Sequence, residues 1–471
     1  MGNFHFYSGD DKITQVDVEK YILSSVHRLS EEFGDADRVA IMCTDNAQCI
    51  NAILSLVHLE KEIVLLNPTL PAVQLEGMLD SISVTKVISD ELGATKLQAK
   101  YDVISVEKFL PKDSVGQHDF ESPNSILILL QKLRVIIYTS GTLGLSKAVA
   151  LSYNQLISAY NNSNEVLQYS DEDVWLLSLP LFQISGFSIL FRALISGASL
   201  VVPGSFATDS ITNCIERFDI THLSFVPTQL RRVMACNCRP PKSLKYTLLG
   251  GASCDNALVS ESIHAGWQTC KVYGSTETSA FVTILLPNEA ETHIDSSGKA
   301  LPNVRISINN NDESGRGEIV VNSDSLSKGY LNSQKETEKK FISGNYLTGD
   351  YGYISDAGYL HVLNRLDDII ISGGQKIVPA DVESVLMKLS GVLSCKVFGI
   401  HDAEWGESVT ALIVSDGKLN LGIEPVKEEL RKYLAPYQIP KNIAFITGDE
   451  SVDFDKIKKS ELIEMFNTHK K

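Results

Sequence analysis

Apolar residues along the chain alternate between two spacings. Across 13–35, Val16, Val18, Tyr21, Ile22, Val26 and Leu29 fall near helical spacing, and the continuous run Val39-Ala40-Ile41-Met42 that follows has the length and composition of a buried strand. The alternation continues with a helical pattern over 47–59, a strand over 63–66, a helix over 71–81 and a strand over 86–88. Such alternation predicts βα units and parallel sheet. The apolar runs 126–130 and 135–138 come next, a helix is expected to begin at Ser152 or Asn154, and 199–202, 223–226 and 247–249 are further strand candidates. The longest apolar region, 174–202, is broken by Pro180, Gln183, Gly186 and Arg192, which fits two buried elements better than a membrane span. After Asp367 the pattern restarts: a strand, a helix over 380–389, strands over 394–399 and 409–414, a helix over 427–434 and a strand over 443–446. This reads as a compact α+β domain of about a hundred residues, placing a boundary near 365–368. The expected division is therefore 1–366 and 367–471.

Composition narrows the partners. The chain has 471 residues, enough for a large and a small domain without staples, and a formal net charge of −16. That balance argues against nucleic acid or an anionic membrane, because either needs a basic footprint. The eight cysteines are scattered; Cys236-Asn237-Cys238 lacks a second pair to complete a metal site, and free thiols in a reducing cytoplasmic compartment are expected. The start, Met1-Gly2-Asn3-Phe4-His5, has neither the basic region nor the apolar core of a secretory signal.

The candidate chemistry lies where strands run out. After Val135-Ile136-Ile137 comes Tyr138-Thr139-Ser140-Gly141-Thr142-Leu143-Gly144-Leu145-Ser146-Lys147, hydroxyls, glycines and one lysine. Backbone N–H groups can converge on an anion where bulky side chains are absent, and the lysine adds a compact charge. Alone, the loop reads more readily as an ordinary glycine turn. Two later strands open into small residues in the same way: Leu248-Leu249-Gly250-Gly251-Ala252, and Cys270-Lys271-Val272-Tyr273-Gly274-Ser275-Thr276-Glu277-Thr278. A flat purine can approach backbone at such places, and Glu277 is either a carboxylate for a phosphate-bridging magnesium ion or a surface residue at a helix start. Further on, Tyr346-Leu347-Thr348-Gly349-Asp350 and Leu363-Asn364-Arg365 offer a carboxylate for ribose hydroxyls and a guanidinium able to bridge ribose and phosphate.

These stretches, with 365–376 and a lysine near the C-terminus, resemble in their order the adenylate-forming superfamily of acyl-CoA synthetases, adenylation domains and luciferases, over about residues 38–462. Within it, Trp175-Leu176-Leu177-Ser178-Leu179-Pro180-Leu181-Phe182-Gln183-Ile184-Ser185-Gly186 and Ile370-Ile371-Ser372-Gly373-Gly374-Gln375-Lys376-Ile377-Val378-Pro379 are most similar to the o-succinylbenzoate–CoA ligase subgroup. The resemblance implies an α/β fold with a large N-terminal AMP-binding domain and a small, mobile α+β C-terminal domain. It also implies an AMP-forming acid–CoA ligase using ATP, magnesium and CoA on a small carboxylic acid. Ser140, Gly141, Thr142 and Lys147 would hold the β- and γ-phosphates; Gly250, Gly251, Ala252, Tyr273 and Gly274 would flank adenine. Thr276 would touch the α-phosphate or the carboxylate, Glu277 would hold the metal, and Asp350 and Arg365 would bind ribose. Lys456 would stabilise the pentavalent phosphorus, with Lys458 as runner-up; Asp367 would be the hinge, and Gly373 and Gly374 would line the thiol tunnel. Gln183, Ser185, Gly186, Ser224 and Phe225 would wall the acyl pocket, suiting an aromatic or polar acid.

Departures from the family pattern matter as well. Leu143, Ser146 and Ala148 replace threonine, proline and glycine of the usual phosphate loop, and Gln183 replaces the subgroup's histidine. Leu143 removes a hydroxyl worth about 1–3 kcal/mol if it bonds phosphate. Ala148 costs roughly 1–2 kcal/mol only if that position needs positive φ. Gln183 keeps hydrogen bonding but does not titrate near neutrality, which leaves open either an acid other than o-succinylbenzoate or a plain exchange of one neutral pocket donor for another. Two further alternatives also stay open: an acyl carrier protein as thiol acceptor, or a catalytically weakened adenylate-fold binding partner.

Overall fold

The computed structural model describes residues 4–470 apart from 10, 110–124, 140–145, 253, 417–421, 449–451, 453, 455 and 456. The chain forms two compact units, the first of Met1–Ile306, Val320–Leu347 and Asp356–Leu360 and the second of Ser307–Ile319, Thr348–Ser355 and His361–Lys471.

The first unit holds two sheets. One is six-stranded, in the order Asp102–Ser105, Lys86–Ser89, Arg38–Met42, Glu62–Leu65, Arg134–Thr139, Lys147–Ser152. Its first five strands run parallel, with Ile41 opposite both Leu65 and Ile88, and the last turns back antiparallel. The continuous apolar runs follow from burial on both faces. The other sheet is nine-stranded, in the order Lys299–Ala300, Ala280–Leu285, Thr269–Ser275, Tyr246–Leu249, His222–Phe225, Val174–Leu176, Ser199–Val202, His5–Ser8, Asp11–Thr14. Its inner pairs are parallel and both ends close with antiparallel strands. One core draws on both sheets, with Val39, Ile63 and Val135 in the same cluster as Trp175, Leu200 and Leu248.

Local chemistry sets the helix starts. Thr14 and Asp17 form a reciprocal capping box that opens Gln15–Phe33, the Thr14 N–H donating to Asp17 Oδ2 at 3.0 Å. Tyr153–Leu167 opens in the same manner, the Ser152 N–H donating to Gln155 Oε1 at 2.9 Å.

Three of the differences from the expected pattern are instructive. The N-terminal hairpin His5–Ser8 and Asp11–Thr14 extends the nine-stranded sheet although its alternation is too short to stand out. Ser125–Leu130 is a single short helix, a case where a brief apolar run carries no periodicity to tell helix from strand. The region 174–202 contains three elements, strand Val174–Leu176, helix Ile184–Ser196 and strand Ser199–Val202, with Gly197 at φ +73° ending the helix. Among the described residues no helix is long and apolar enough to cross a membrane.

In the second unit, Gln375–Ile377, Ile370–Ser372, Gly406–Ser415 and Val392–Asp402 form a sheet in that order, with Asn442–Thr447 parallel to Gly406–Ser415. Helix Pro379–Leu386 buries Val382, Val385 and Leu386 in the same core as Ile370, Val397 and Val409. This is the α+β arrangement expected after Asp367.

Candidate active site

The glycine-rich loop connects two antiparallel strands, with Thr139 opposite Lys147 at its root. Ser140, Gly141, Thr142 and Leu143 lie outside the described residues. Lys147 is described, and it is held from several sides. Its Nζ donates to Glu336 Oε2 at 2.7 Å and lies 5.0 Å from the centre of the Tyr330 ring. Asn332 brackets its backbone: Asn332 Nδ2 donates to the Ser146 carbonyl at 2.9 Å, and the Ala148 N–H donates to Asn332 Oδ1 at 3.0 Å. The hydrogen bond from Lys147 holds the Glu336 carboxyl below its ordinary pKa. Ala148 is a buried strand residue paired with Tyr138 and is not among the positions of positive φ, so alanine carries no backbone strain there.

Two neighbouring parallel strands, Tyr246–Leu249 and Thr269–Ser275, end in the small residues marked for adenine. Gly250 and Gly274 are required by close approach: a Cβ on Gly250 would stand 2.7 Å from Val272 Cγ2, and one on Gly274 would stand 2.1 Å from the Ala280 carbonyl. Gly251 adopts φ +79°. Ala252 is exposed beyond them and Tyr273 lies within the second strand. Thr276 and Glu277 form a short 3-10 turn, Thr276–Thr278, rather than the start of a longer helix. Glu277 is not a surface residue: it is 6% exposed, its carbonyl accepts the Ser327 N–H at 2.7 Å, and its Oε1 accepts the Tyr330 hydroxyl at 2.8 Å. Among the described residues no lysine or arginine pairs with it. A buried carboxylate with one hydroxyl donor calls for a cation, and so fits a metal ion. No cluster of three His, Cys, Asp or Glu exists among the described residues, so bound phosphate oxygens and water would have to complete that ion's shell. Burial, followed by the Glu277 charge, pushes the Tyr330 phenol well above its ordinary pKa, which keeps it a donor.

Gln183 is the exposed N-cap of helix Ile184–Ser196, whose first turn carries Ser185 and Gly186. Gly186 packs so closely that a Cβ would stand 2.1 Å from the Pro180 carbonyl. Ser224 and Phe225 end strand His222–Phe225, and the Ser224 carbonyl accepts the Ser178 hydroxyl. One turn spacing along the helix then builds a polar ladder. Ser188 Oγ donates to the Ser185 carbonyl at 3.1 Å, and Arg192 Nη1 donates to Ser188 Oγ at 3.1 Å. Arg192 is 4% exposed, lies 4.9 Å from the Phe281 ring and 5.8 Å from that of Trp175, and pairs with no carboxylate among the described residues.

In the second unit Arg365 Nη1 donates to Asp350 Oδ1 at 2.6 Å, and the Asp350 N–H donates to Thr348 Oγ1 at 3.0 Å. Asp367 is exposed in the 3-10 turn Leu366–Asp368. Gly373 and Gly374, at φ +56° and +76°, make the turn between Ile370–Ser372 and Gln375–Ile377; a Cβ on Gly373 would stand 2.8 Å from the Trp405 ring. Lys456 lies outside the described residues, whereas Lys458 stands at the N-cap position of helix Lys459–His469 without a side-chain capping bond.

Residues 4–331 match the model of the AMP-binding enzyme family, and 381–451 match the AMP-binding enzyme C-terminal domain. The chain belongs to the AMP-binding enzyme family. It is 31% identical to the 2-succinylbenzoate–CoA ligase of Enterococcus faecalis over 468 residues, covering 96% of this chain and 94% of that protein. The corresponding ligase of Oceanobacillus iheyensis is 32% identical over 418 residues, 87% of this chain and 85% of the relative. Among solved structures, the o-succinylbenzoate CoA synthetase of Bacillus subtilis in complex with its acyl-adenylate intermediate superposes with a TM-score of 0.83 at 27% identity, covering 98% of this chain and 94% of that one. The same synthetase has been seen with ATP and a magnesium ion, again with a TM-score of 0.83, at 26% identity over 98% of this chain and 96% of that one. With such coverage, this AMP-binding enzyme is an AMP-forming acid–CoA ligase.

Sequence reasoning did not single out several residues that the fold brings to the candidate positions. Tyr330, Asn332 and Glu336 belong to no strand-end motif and meet Lys147 only through the fold. The one available signal for Arg192 is a cation inside an otherwise apolar run, where it reads merely as an interruption.

Proposed function

We propose that this enzyme activates 2-succinylbenzoate with ATP and transfers the acyl group to CoA. In the first half-reaction a substrate carboxylate oxygen attacks the α-phosphate, forming acyl-adenylate and expelling pyrophosphate. In the second, the CoA thiol loses its proton and attacks the acyl carbon, forming the thioester as AMP leaves. Positioning and charge supply the rate. In this reading Lys147, with Ser140, Gly141 and Thr142, draws charge from the outgoing phosphates. Gly250, Gly251, Ala252, Tyr273 and Gly274 flank adenine, Thr276 touches the reacting groups, and Asp350 and Arg365 bind ribose. Glu277 would hold the magnesium ion, which when bound would supply charge neutralisation at the phosphates. Lys456 stabilises the pentavalent phosphorus, while the segment 367–471, hinged at Asp367, brings Gly373 and Gly374 to the thiol step. Gln183, Ser185, Gly186, Ser224 and Phe225 wall the acyl pocket.

The observation that carries the substrate is Arg192. Its helix face begins at pocket residue Ser185 and ends, two turns on, at a buried guanidinium without a carboxylate partner among the described residues. A buried cation is costly unless paired. 2-Succinylbenzoate has two carboxylates; one is activated, and the other supplies the missing anion.

Pyrophosphate release measured with a panel of aryl and aliphatic acids tests this. The expected result is release strongest with 2-succinylbenzoate, followed by CoA-dependent AMP formation. Release with another acid alone would overturn the substrate; transfer only to a carrier-protein thiol would overturn the acceptor. Nucleotide binding without acid-dependent release would mark a weakened binding protein.

A further inference from the structure

Two opposite charges of the first unit meet around one aromatic side chain. Lys147 Nζ lies 5.0 Å from the centre of the Tyr330 ring, and the hydroxyl of the same tyrosine donates to Glu277 Oε1 at 2.8 Å. The ammonium pairs with Glu336, not with Glu277. A lysine and a glutamate that contact the same side chain attract one another, and a direct ion pair would neutralise both.

We propose that Tyr330 is a positioning residue that keeps these charges apart, its ring receiving Lys147 and its hydroxyl fixing Glu277 for the metal ion. The proposal rests on Glu277 as metal ligand. Tyr330 is suited to the task because it is buried and held by its neighbours. It is 7% exposed, forms an antiparallel bridge with Val149, and meets the Phe341 ring edge-on at 5.7 Å. Its N–H donates to Thr337 Oγ1 at 2.8 Å, next to Glu336 on helix Gln334–Lys340. One short segment thereby sets the counter-ion of the phosphate lysine and the orientation of the metal carboxylate. A glutamate has three rotatable bonds, and ordering it in advance removes that cost from metal binding. Among the described residues no hydrogen bond reaches Glu277 Oε2, which leaves that oxygen for the cation.

The test uses the full chain and α,β-methylene-ATP as probe, with binding measured by calorimetry in EDTA and across a magnesium series. Tyr330→Phe keeps the ring and removes the hydroxyl. It should leave binding in EDTA unchanged and raise the half-saturating magnesium concentration about tenfold, the size of the ordering cost of one glutamate side chain. Tyr330→Leu removes the ring too and should also weaken binding in EDTA, as Lys147 and Glu277 pair. Glu277→Gln is the reference and should abolish most of the magnesium response. A wild-type response in Glu277→Gln overturns the metal assignment and the proposal with it. A shifted response in Glu277→Gln beside a wild-type one in Tyr330→Phe overturns the positioning role alone. Tyr330→Phe is nearly isosteric but leaves the buried Glu277 carboxylate without its donor, so binding is compared at a temperature where thermal melts show both proteins folded, and either outcome then reads on the hydroxyl.

Discussion

Replacing Arg192 by methionine should separate substrate affinity from stability. In the free enzyme the guanidinium is 4% exposed and has a neutral hydrogen bond to Ser188 and the faces of Phe281 and Trp175, but no carboxylate among the described residues. Those contacts offset only part of the cost of burying a charge, and burial indeed holds its pKa below the ordinary value. Methionine is flexible, similar in length and apolar, so Arg192→Met should leave the melting temperature unchanged or raise it. The substrate sees the opposite. Breaking a buried charge pair by deleting one partner costs about 3–5 kcal/mol, and partial hydration of the stranded carboxylate reduces that to roughly 2–4 kcal/mol. At about 1.4 kcal/mol per decade this is on the order of thirtyfold to a thousandfold in kcat/KM. The assay is steady-state pyrophosphate release with 2-succinylbenzoate and with 4-oxo-4-phenylbutanoate, which lacks the ring carboxylate, alongside a thermal melt. The diacid should lose most of its advantage while the monoacid changes little. Equal losses for both acids, or a lower melting temperature with unchanged kcat/KM, would show that Arg192 serves packing alone.

Three further outcomes are expected. Lys456→Ala should suppress adenylation while largely sparing thioester formation from a preformed acyl-adenylate; equal loss in both half-reactions counts against its assignment to the first. Leu143→Thr with Ser146→Pro should speed adenylation, by up to the roughly 1–3 kcal/mol of one restored hydroxyl bond, and an unchanged rate would show the loop adequate as it stands. His222 is buried against Trp175 at 4.4 Å between ring centroids, with Thr221 Oγ1 at 2.8 Å and Asp173 at 3.7 Å, and burial holds its pKa down at about 4 despite Asp173. A folded pKa below the unfolded value contributes stability above about pH 6.5 that is lost as pH falls toward 4, by up to about 3 kcal/mol. Denaturant titrations at pH 7 and pH 5 should show this slope in wild type and a shallower one in His222→Gln; identical slopes would refute it.

The parts of the fold legible in the sequence were those where burial is total. Val39-Ala40-Ile41-Met42 and Ile63-Val64-Leu65 announce central parallel strands because both faces are covered. His5–Ser8 and Asp11–Thr14 do not, since a short edge hairpin has little apolar alternation to show. The site divides along the same lines. Gly250 and Gly274 are visible because close backbone approach excludes other residues. Tyr330, Asn332 and Glu336 are invisible because their partners lie far away in sequence, and side-chain hydrogen bonding leaves no periodic trace.

The bracket that Asn332 places around Lys147 joins positions 184 and 186 residues apart. All six strands of the sheet that includes the strands flanking the glycine-rich segment lie before residue 153, so they are synthesised long before Lys147 is secured. Contacts of such sequence separation form late, because a long loop must close before they contribute. The strands on either side of the loop are therefore made early, and the groups that hold Lys147 come late. A chain truncated before Tyr330 would contain all six strands of that sheet and lack the groups that hold Lys147 in place.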